Sequence, residues 1–285
     1  MTLKTRSEQK AFDGTVGFYS HSSVETKTEM RFAVFVPAQA RIIPAPALYY
    51  LAGLTCTEET FVIKANALRC AAEHGLVLVA PDTSPRGADL PGEDENWDFG
   101  TGAGFYLDAE SDPWARHYRM YSYITRELPN LIEVSFPVDP VKRGIFGHSM
   151  GGHGALIVAL KNPERYHSVS AFSPISNPVV VTWGEKAFSN YLGPDRSRWA
   201  AWDASLLMRE CPYPGDILVD QGEADEFLSA QLHPKALADA AAASGQKLTL
   251  RRHADYDHSY WFIQSFVADH MAWHAARLHN HTVYI

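Results

Sequence analysis

Cysteine is scarce in this sequence, and long apolar runs are absent from it. The three cysteines, Cys56, Cys70 and Cys211, are odd in number and far apart, which argues against a disulfide framework and a cysteine-based zinc site. No segment approaches the roughly 18 apolar residues of a membrane span. The polar residues 1–10 lack the apolar stretch of a secretory signal. We therefore expect a cytoplasmic protein that does not enter a membrane.

Acidic residues outnumber basic residues in this sequence. The chain has 25 Lys and Arg against 33 Asp and Glu, and its formal net charge is -8. A net negative protein is poorly suited to bind nucleic acid or an anionic membrane surface. We expect neither partner, and any anionic small-molecule substrate must be attracted by local basic groups.

The alternation of strand-like and helix-like segments predicts a single α/β domain over residues 1–285. Apolar runs at residues 47–52 and 76–80 enclose a helical pattern at 58–74, which is the order of a βαβ unit. Later strand-like segments also alternate with helices, and they lie at residues 143–146, 168–172, 216–220 and 247–252. This order predicts a mostly parallel sheet with helices on both faces. The β-rich N-terminal residues add an antiparallel edge, so the predicted architecture is that of an α/β-hydrolase.

Two long segments show little periodicity, residues 82–113 and residues 174–214. The first is rich in Gly, Asp and Pro. Because long ordered loops usually carry function, we expect it to cover one face of the sheet. The glycines at 100, 102 and 104 lack the lysine and the strand–loop–helix order of a phosphate-binding motif, so we interpret them as a glycine-rich loop.

A G-x-S-x-G motif stands at residues 147–151, between a strand-like segment and a small-residue helical pattern. That context is typical of a nucleophile elbow, a sharp turn that exposes a serine hydroxyl at the top of a sheet. Glycine is required at both flanks because a Cβ would obstruct the turn. Ser149 is therefore the candidate nucleophile.

The acid of a triad should follow the serine along the chain in this architecture. Asp220, Glu223, Asp225 and Glu226 all lie near the end of the strand-like segment 216–220. Asp220 still belongs to the strand, whereas Asp225 lies in the following loop and can turn towards a neighbouring loop. We predict Asp225 as the acid.

The histidine of the triad is predicted to be His258, which directly precedes the final helix, whereas His253 lies closer to the strand. His148 and His153 are nearer to Ser149 in sequence. The elbow points the serine away from its own helix, so we interpret these two as packing residues or residues behind the site. In such a triad the histidine takes the serine proton, and the acid holds the imidazole in the required tautomer.

Four further histidines stand near the C-terminus, His270, His274, His279 and His281, and the first pair is four residues apart. No H-E-x-x-H pattern accompanies them, so we expect a solvated helix face. The acidic run at residues 93–95 lacks the spacing of a calcium loop. We expect neither a metal nor a cofactor.

An oxyanion hole requires two backbone donors near the serine. One should be the N–H of Met150, the residue after the nucleophile, and the other should come from the loop after an early strand. Residues 51–55 form such a loop, and the N–H of Leu54 is the candidate. Cys56, two residues further on, should border the site as a bystander.

Motifs along nearly the whole chain resemble those of S-formylglutathione hydrolase, the esterase D family. They lie at residues 53–58, 80–87, 97–106, 145–154, 220–222 and 256–260. The resemblance implies a Ser149/Asp225/His258 triad and hydrolysis of S-formylglutathione to formate and glutathione in formaldehyde detoxification. It also implies a cytoplasmic location and a homodimer. Lys64 and Arg86 are candidates for binding the glutathione portion, and the alternative activity is that of a general short-chain carboxylesterase.

Two positions depart from the family pattern. Asp255 stands where the family usually has glycine, which puts an extra carboxylate near His258. Residues 181–184 are Val-Thr-Trp-Gly, where the family often has a Cys-Pro pair before the Trp-Gly, so we expect Trp183 near an altered acyl pocket. The other aromatic residues expected to narrow that pocket are Trp97, Phe99, Phe105 and Tyr106.

Overall fold

Nine strands form one sheet within residues 2–281, the part of the chain that the computed structural model describes. They are β1 (Lys4–Ala11), β2 (Gly14–Ser22), β3 (Glu29–Val36), β4 (Ala45–Leu51), β5 (Val77–Pro81), β6 (Val138–His148), β7 (Ser168–Phe172), β8 (Ile217–Gly222) and β9 (Leu248–His253). Their order across the sheet is β1-β2-β3-β5-β4-β6-β7-β8-β9. In this order the first three pairs, β1-β2, β2-β3 and β3-β5, are antiparallel. The remaining five pairs, from β5-β4 to β8-β9, are parallel. The predicted parallel sheet with an antiparallel N-terminal edge is confirmed.

Helices cover both faces of this sheet, as in the α/β-hydrolase fold. They are α1 (Glu58–Lys64), α2 (Leu68–His74), α3 (Met120–Ser122), α4 (Leu128–Ser135), α5 (Met150–Lys161), α6 (Thr182–Tyr191), α7 (Ala204–Glu210), α8 (Pro234–Ser244) and α9 (Tyr260–His279). Strand β4 is buried on both faces because its side chains alternate between two apolar clusters. Tyr49 and Leu51 belong to the cluster that includes α5, whereas Leu48 and Tyr50 belong to the one that includes α1 and α9. None of these helices within residues 2–281 has the length and hydropathy to span a bilayer.

Three parts of the chain differ from their predictions. The sequence pattern does not indicate β1, whose side chains are mostly exposed and polar and which is held by backbone pairing with β2. The helix predicted at residues 58–74 is two helices, α1 and α2, separated at Asn66, which has a φ of 56°. The segment 174–214, predicted to be irregular, contains α6 and α7. Short helices in aromatic-rich sequence show too little periodicity to be recognised.

His270 and His274 are fully buried on α9 against β7, so the predicted solvated face is wrong for these two. His270 Nδ1 lies 2.8 Å from Ser170 Oγ, and the same oxygen lies 2.8 Å from His274 Nε2. His274 Nδ1 in turn lies 2.7 Å from Ser168 Oγ. The serines of β7 supply the polar partners, which the spacing of histidines on the helix cannot reveal.

These buried histidines should make stability depend on pH. Burial lowers the pKa of His274 well below its ordinary value of 6.5 and also lowers that of His270. The folded protein therefore excludes protons that the unfolded chain binds, and the free energy of unfolding should fall as the pH drops from about 7.5 to about 5. In His274→Gln this fall should be shallower by up to about 1.4 kcal/mol per pH unit.

Urea unfolding followed by circular dichroism at each pH measures this slope. His279→Gln changes an exposed histidine of the same helix and should keep the wild-type slope. An unchanged slope in His274→Gln would mean that the folded state binds this proton after all.

Candidate active site

The turn between β6 and α5 holds Ser149 in a conformation that non-glycine residues rarely adopt. Its φ is 57° and its ψ is -120°, and its N–H donates to the Phe172 carbonyl of β7 at 2.9 Å. A Cβ on Gly151 would lie 2.0 Å from the Leu51 carbonyl oxygen, and one on Gly147 would lie 2.3 Å from the Gly151 oxygen. Both glycines are therefore required by close backbone approach, as the motif predicts.

Asp225 and His258 are joined by a hydrogen bond. His258 Nδ1 lies 2.6 Å from Asp225 Oδ2, and Asp225 Oδ1 accepts the Phe227 N–H at 2.9 Å. The Asp225 carboxylate is fully buried, whereas the His258 ring keeps 15% of its exposure. Since Nδ1 is bound to the carboxylate, Nε2 is the nitrogen available to the cavity that Ser149 and His258 both line.

The other acidic candidates have different partners. Asp220 accepts two hydrogen bonds from Arg251, each at 2.6 Å. Although burial opposes its ionisation, hydrogen bonds from His270 and Arg251 hold the pKa of Asp220 below its ordinary value. Glu223 pairs with Arg252 at 3.4 Å. Among the candidates in the described chain, Asp225 alone is bonded to His258.

A cavity of about 250 Å³ lies beside Ser149, at the carboxyl ends of the parallel strands. It is lined by Gly53, Leu54, Thr55, Cys56, Trp97, His148, Ser149, Trp183, Phe227, His258 and Tyr260. A larger cavity of about 440 Å³ borders the first residues of β4 and thus the amino ends of the parallel strands, away from Ser149. Ligands of open α/β sheets bind beyond the carboxyl ends of the strands, so the smaller cavity is the candidate site.

Aromatic rings form one wall of this cavity, which we call the aromatic wall and define as Trp97, Trp183 and Phe227. The two indole rings are 5.6 Å apart, Trp183 lies 4.8 Å from Phe227, and Phe227 lies 5.1 Å from the His258 ring. Trp97 and Trp183 thus lie where the sequence predicts them. The other three predicted pocket residues, Phe99, Phe105 and Tyr106, are buried in the core and do not line this cavity.

Phe227 and Tyr260 also line the cavity. The sequence analysis does not identify them as lining residues, although each lies within two residues of a predicted triad member.

His148 also lines the cavity, with its ring 4.4 Å from that of His258. Burial first, and the nearby charge of His258 second, lower the pKa of His148 well below its ordinary value. His153 is a packing residue, since its Nε2 lies 2.8 Å from the Trp202 carbonyl oxygen.

The loop after β4 passes directly over Ser149. A Cβ on Gly53 would lie 3.2 Å from Ser149 Cβ, so the following residue, Leu54, starts beside the nucleophile. Met150 is the first residue of α5. Within residues 2–281 neither the Leu54 N–H nor the Met150 N–H donates to a protein acceptor, which leaves both donors available to a bound ligand.

Three further residues that the sequence analysis singles out, Asp255, Arg86 and Lys64, do not line the cavity. Asp255 is exposed and has a φ of 64°, a left-handed conformation that explains why glycine suits this position. Arg86 donates to the Asp82 carboxylate at 2.7 Å and to the Cys56 carbonyl at 3.3 Å, so its guanidinium is already engaged. Lys64 is exposed at the end of α1.

Comparisons with known proteins agree with this geometry. The family model described as "Putative esterase" matches residues 23–275. The S-formylglutathione hydrolase of Mus musculus is 56% identical over 282 residues, covering 98% of this chain and 99% of its own. That of Paracoccus denitrificans is 52% identical over 280 residues, covering 98% of this chain and all of its own. The chain belongs to the S-formylglutathione hydrolase family.

A solved structure supports the same membership. The S-formylglutathione hydrolase of Agrobacterium tumefaciens superposes with a TM-score of 0.94 at 51% sequence identity, covering 96% of this chain and 99% of that one. The resemblance identified from the sequence motifs is therefore confirmed, together with the α/β-hydrolase fold.

Cys56 lines the cavity, and its environment yields a testable consequence. Burial raises the pKa of its thiol, so a maleimide should react with it slowly at neutral pH and faster at higher pH. The bulky adduct should block turnover by filling the cavity. Cys56→Ser should keep turnover and lose this sensitivity, whereas Cys211→Ser, which changes an exposed cysteine, should remain sensitive. Turnover lost in Cys56→Ser itself, measured without reagent, would instead assign the thiol a catalytic role.

Proposed function

We propose that this protein hydrolyses S-formylglutathione to formate and glutathione through a formyl-enzyme on Ser149. The observation that carries the proposal is the 2.6 Å bond between His258 and Asp225 beside Ser149, in a chain 56% identical to a mouse S-formylglutathione hydrolase. Asp225 holds His258 in the tautomer whose Nε2 can take the Ser149 proton. These steps use no metal or cofactor.

In the first half-reaction Ser149 Oγ attacks the formyl carbon, and its proton passes to His258. The carbonyl oxygen becomes an oxyanion, and the N–H groups of Leu54 and Met150 stabilise it, each donor contributing about 3 kcal/mol. The C–S bond then breaks, and the departing glutathione thiolate takes the proton from His258. Because a thiolate leaves with little need of protonation, attack and oxyanion stabilisation limit this half-reaction.

In the second half-reaction water attacks the formyl carbon of the formyl-enzyme while His258 removes a water proton. The same two N–H groups stabilise the second oxyanion. The bond from carbon to Ser149 Oγ then breaks, and His258 returns the proton to that oxygen. Formic acid leaves with the second water proton, which it loses to solvent to become formate.

A general short-chain carboxylesterase is the second candidate, because the same groups can attack an oxyester. The aromatic wall argues for the narrower activity, since Phe227 lies 5.1 Å from the His258 ring and Trp183 lies 4.8 Å from Phe227. Rings this close to the base leave little room for a long acyl chain beside Ser149.

We also propose that the reaction serves formaldehyde detoxification in the cytoplasm and that the enzyme is a homodimer. All three cysteines are free, which suits a reducing compartment. The metabolic role and the dimer rest on the kinship with S-formylglutathione hydrolases.

The triad assignment is tested by three substitutions. Ser149→Ala and His258→Ala should each lower kcat for S-formylglutathione by orders of magnitude, because both groups are needed to activate the nucleophile. Asp225→Asn should lower kcat by at least about a hundredfold, because the His258 tautomer is no longer fixed. The matched control Glu226→Gln changes the exposed neighbouring carboxylate and should keep wild-type kcat. Near-normal kcat in Asp225→Asn together with lost kcat in Asp220→Asn would show that the acid is Asp220.

The acyl preference is tested with a series of thioesters. The enzyme should prefer S-formylglutathione over S-acetylglutathione and longer acyl thioesters by at least about tenfold in kcat/KM, or ~1.4 kcal/mol. Trp183→Ala should reduce this ratio by opening the aromatic wall. Trp261→Ala, which removes an exposed indole outside the cavity lining, should leave it unchanged. Equal kcat/KM for formyl, acetyl and butyryl thioesters in the wild type would favour the general carboxylesterase.

A further inference from the structure

The segment over Ser149 has no secondary structure of its own, and we call it the oxyanion loop, residues 52–56. Its backbone is bonded to a different part of the chain at three points. The Ala52 carbonyl accepts the Tyr106 hydroxyl at 2.9 Å, and the Thr55 N–H donates to the Gly102 carbonyl at 3.0 Å. The Cys56 carbonyl accepts the Thr83 hydroxyl at 2.6 Å. All three partners belong to residues 82–113.

Gly102 fits the oxyanion loop closely. Its φ is 79°, and a Cβ built on it would lie 3.1 Å from Thr55 Cα. Its own N–H donates to Ser84 Oγ at 2.8 Å. The glycine-rich turn is therefore a packing element that contacts the residue after Leu54.

Thr55 itself has a φ of 68°. A β-branched residue with a positive φ is a backbone outlier, and such a conformation persists only when its surroundings determine it. The bond to Gly102 holds Thr55 from one side, and the Thr83 hydroxyl holds the next residue, Cys56, from the other. The Leu54 N–H belongs to the Gly53–Leu54 peptide, whose carbonyl accepts the Cys56 N–H at 3.3 Å inside the loop. The peptides on either side of it, which carry the Ala52 carbonyl and the Thr55 N–H, are held from outside the loop.

An ion pair between Asp82 and Arg86 lies next to the contact of Thr83 with Cys56. The buried Asp82 carboxylate accepts Arg86 Nε at 2.7 Å and the Thr83 N–H at 2.7 Å. Arg86 Nη2 also reaches the Cys56 carbonyl at 3.3 Å. The hydroxyl of Thr83, which is fully buried, is therefore oriented before any substrate arrives.

We propose that Thr83 and Gly102 are positioning residues that aim the Leu54 N–H at the oxyanion formed on the substrate. The inference rests on the proposed function, because it assigns a cause to the oxyanion hole of that same site. Preorganised donors stabilise an oxyanion only when they point at it, and small displacements of a reacting geometry have large effects on rate. The two residues act through the oxyanion loop and touch no reacting atom.

The test compares Thr83→Val, which removes the hydroxyl and keeps the shape, with Thr83→Ser, which keeps the hydroxyl. Thr83→Val should lower kcat for S-formylglutathione about tenfold while KM changes less than about twofold, because the lost stabilisation belongs to the transition state. Thr83→Ser should stay within about twofold of wild type. Melting temperatures measured in parallel show that each variant is folded under the assay conditions.

A second readout is the rate at which a fluorophosphonate labels Ser149, since this reaction also builds negative charge on oxygen and needs no knowledge of the substrate. It should be slowed about tenfold in Thr83→Val and be near normal in Thr83→Ser. If Thr83→Val does not fold, Ser84→Ala replaces it. That change removes the acceptor of the Gly102 N–H and should slow labelling by about threefold.

The outcomes separate this inference from the proposed function. Wild-type enzyme that is labelled at Ser149 but does not turn over S-formylglutathione would overturn the proposed substrate, while the labelling rates would still decide the role of Thr83. Equal rates in wild type, Thr83→Val and Ser84→Ala would overturn the positioning role. Equal loss in Thr83→Val and Thr83→Ser would also overturn it, because the hydroxyl would then not be the group that matters.

Discussion

The contact between the first turn of α5 and the end of β4 constrains the rest of the site. A Cβ on Gly151 would lie 2.0 Å from the Leu51 carbonyl oxygen, so only glycine fits at this position in the first turn of α5. The chain must then turn sharply at Ser149, whose N–H reaches the Phe172 carbonyl of β7. Strands β4, β6 and β7 therefore converge on the serine, and β4 continues directly into the oxyanion loop.

The sequence predicts best the parts of the fold that are buried on both sides. Strands β4, β5 and β7 are continuous apolar or small-residue runs because helices cover both of their faces. Strand β1 has polar, mostly exposed side chains and owes its conformation to pairing with β2. The two strands are joined by the two residues 12–13 and are held by main-chain pairing, which leaves no apolar side-chain pattern in β1 for the sequence to show. Asn66 divides the first helical segment through its positive φ, which composition does not reveal.

In the candidate site, too, some residues can be predicted from the sequence pattern and others depend on tertiary contacts. Ser149, Asp225 and His258 could be proposed because the order of strands fixes where the carboxyl end of each strand places its loop. The cavity lining depends instead on which side chains turn inwards, so Phe227 and Tyr260 go unrecognised while Phe99, Phe105 and Tyr106 are wrongly assigned to the pocket. The burial of His270 and His274 likewise depends on the serines of β7, which lie about a hundred residues away in sequence.

The two halves of the site are held by separate backbone contacts. On one side the acid and histidine loops are joined to each other, since the Glu223 N–H donates to the His253 carbonyl and the Ala224 N–H to the Tyr256 carbonyl, both at 2.9 Å. On the other side the oxyanion loop is held by residues 82–113. No hydrogen bond of the first set shares a residue with the second. A change in the segment 82–113 can therefore displace the Leu54 N–H while the Asp225–His258 bond stays intact, which separates stabilisation of the oxyanion from activation of the nucleophile.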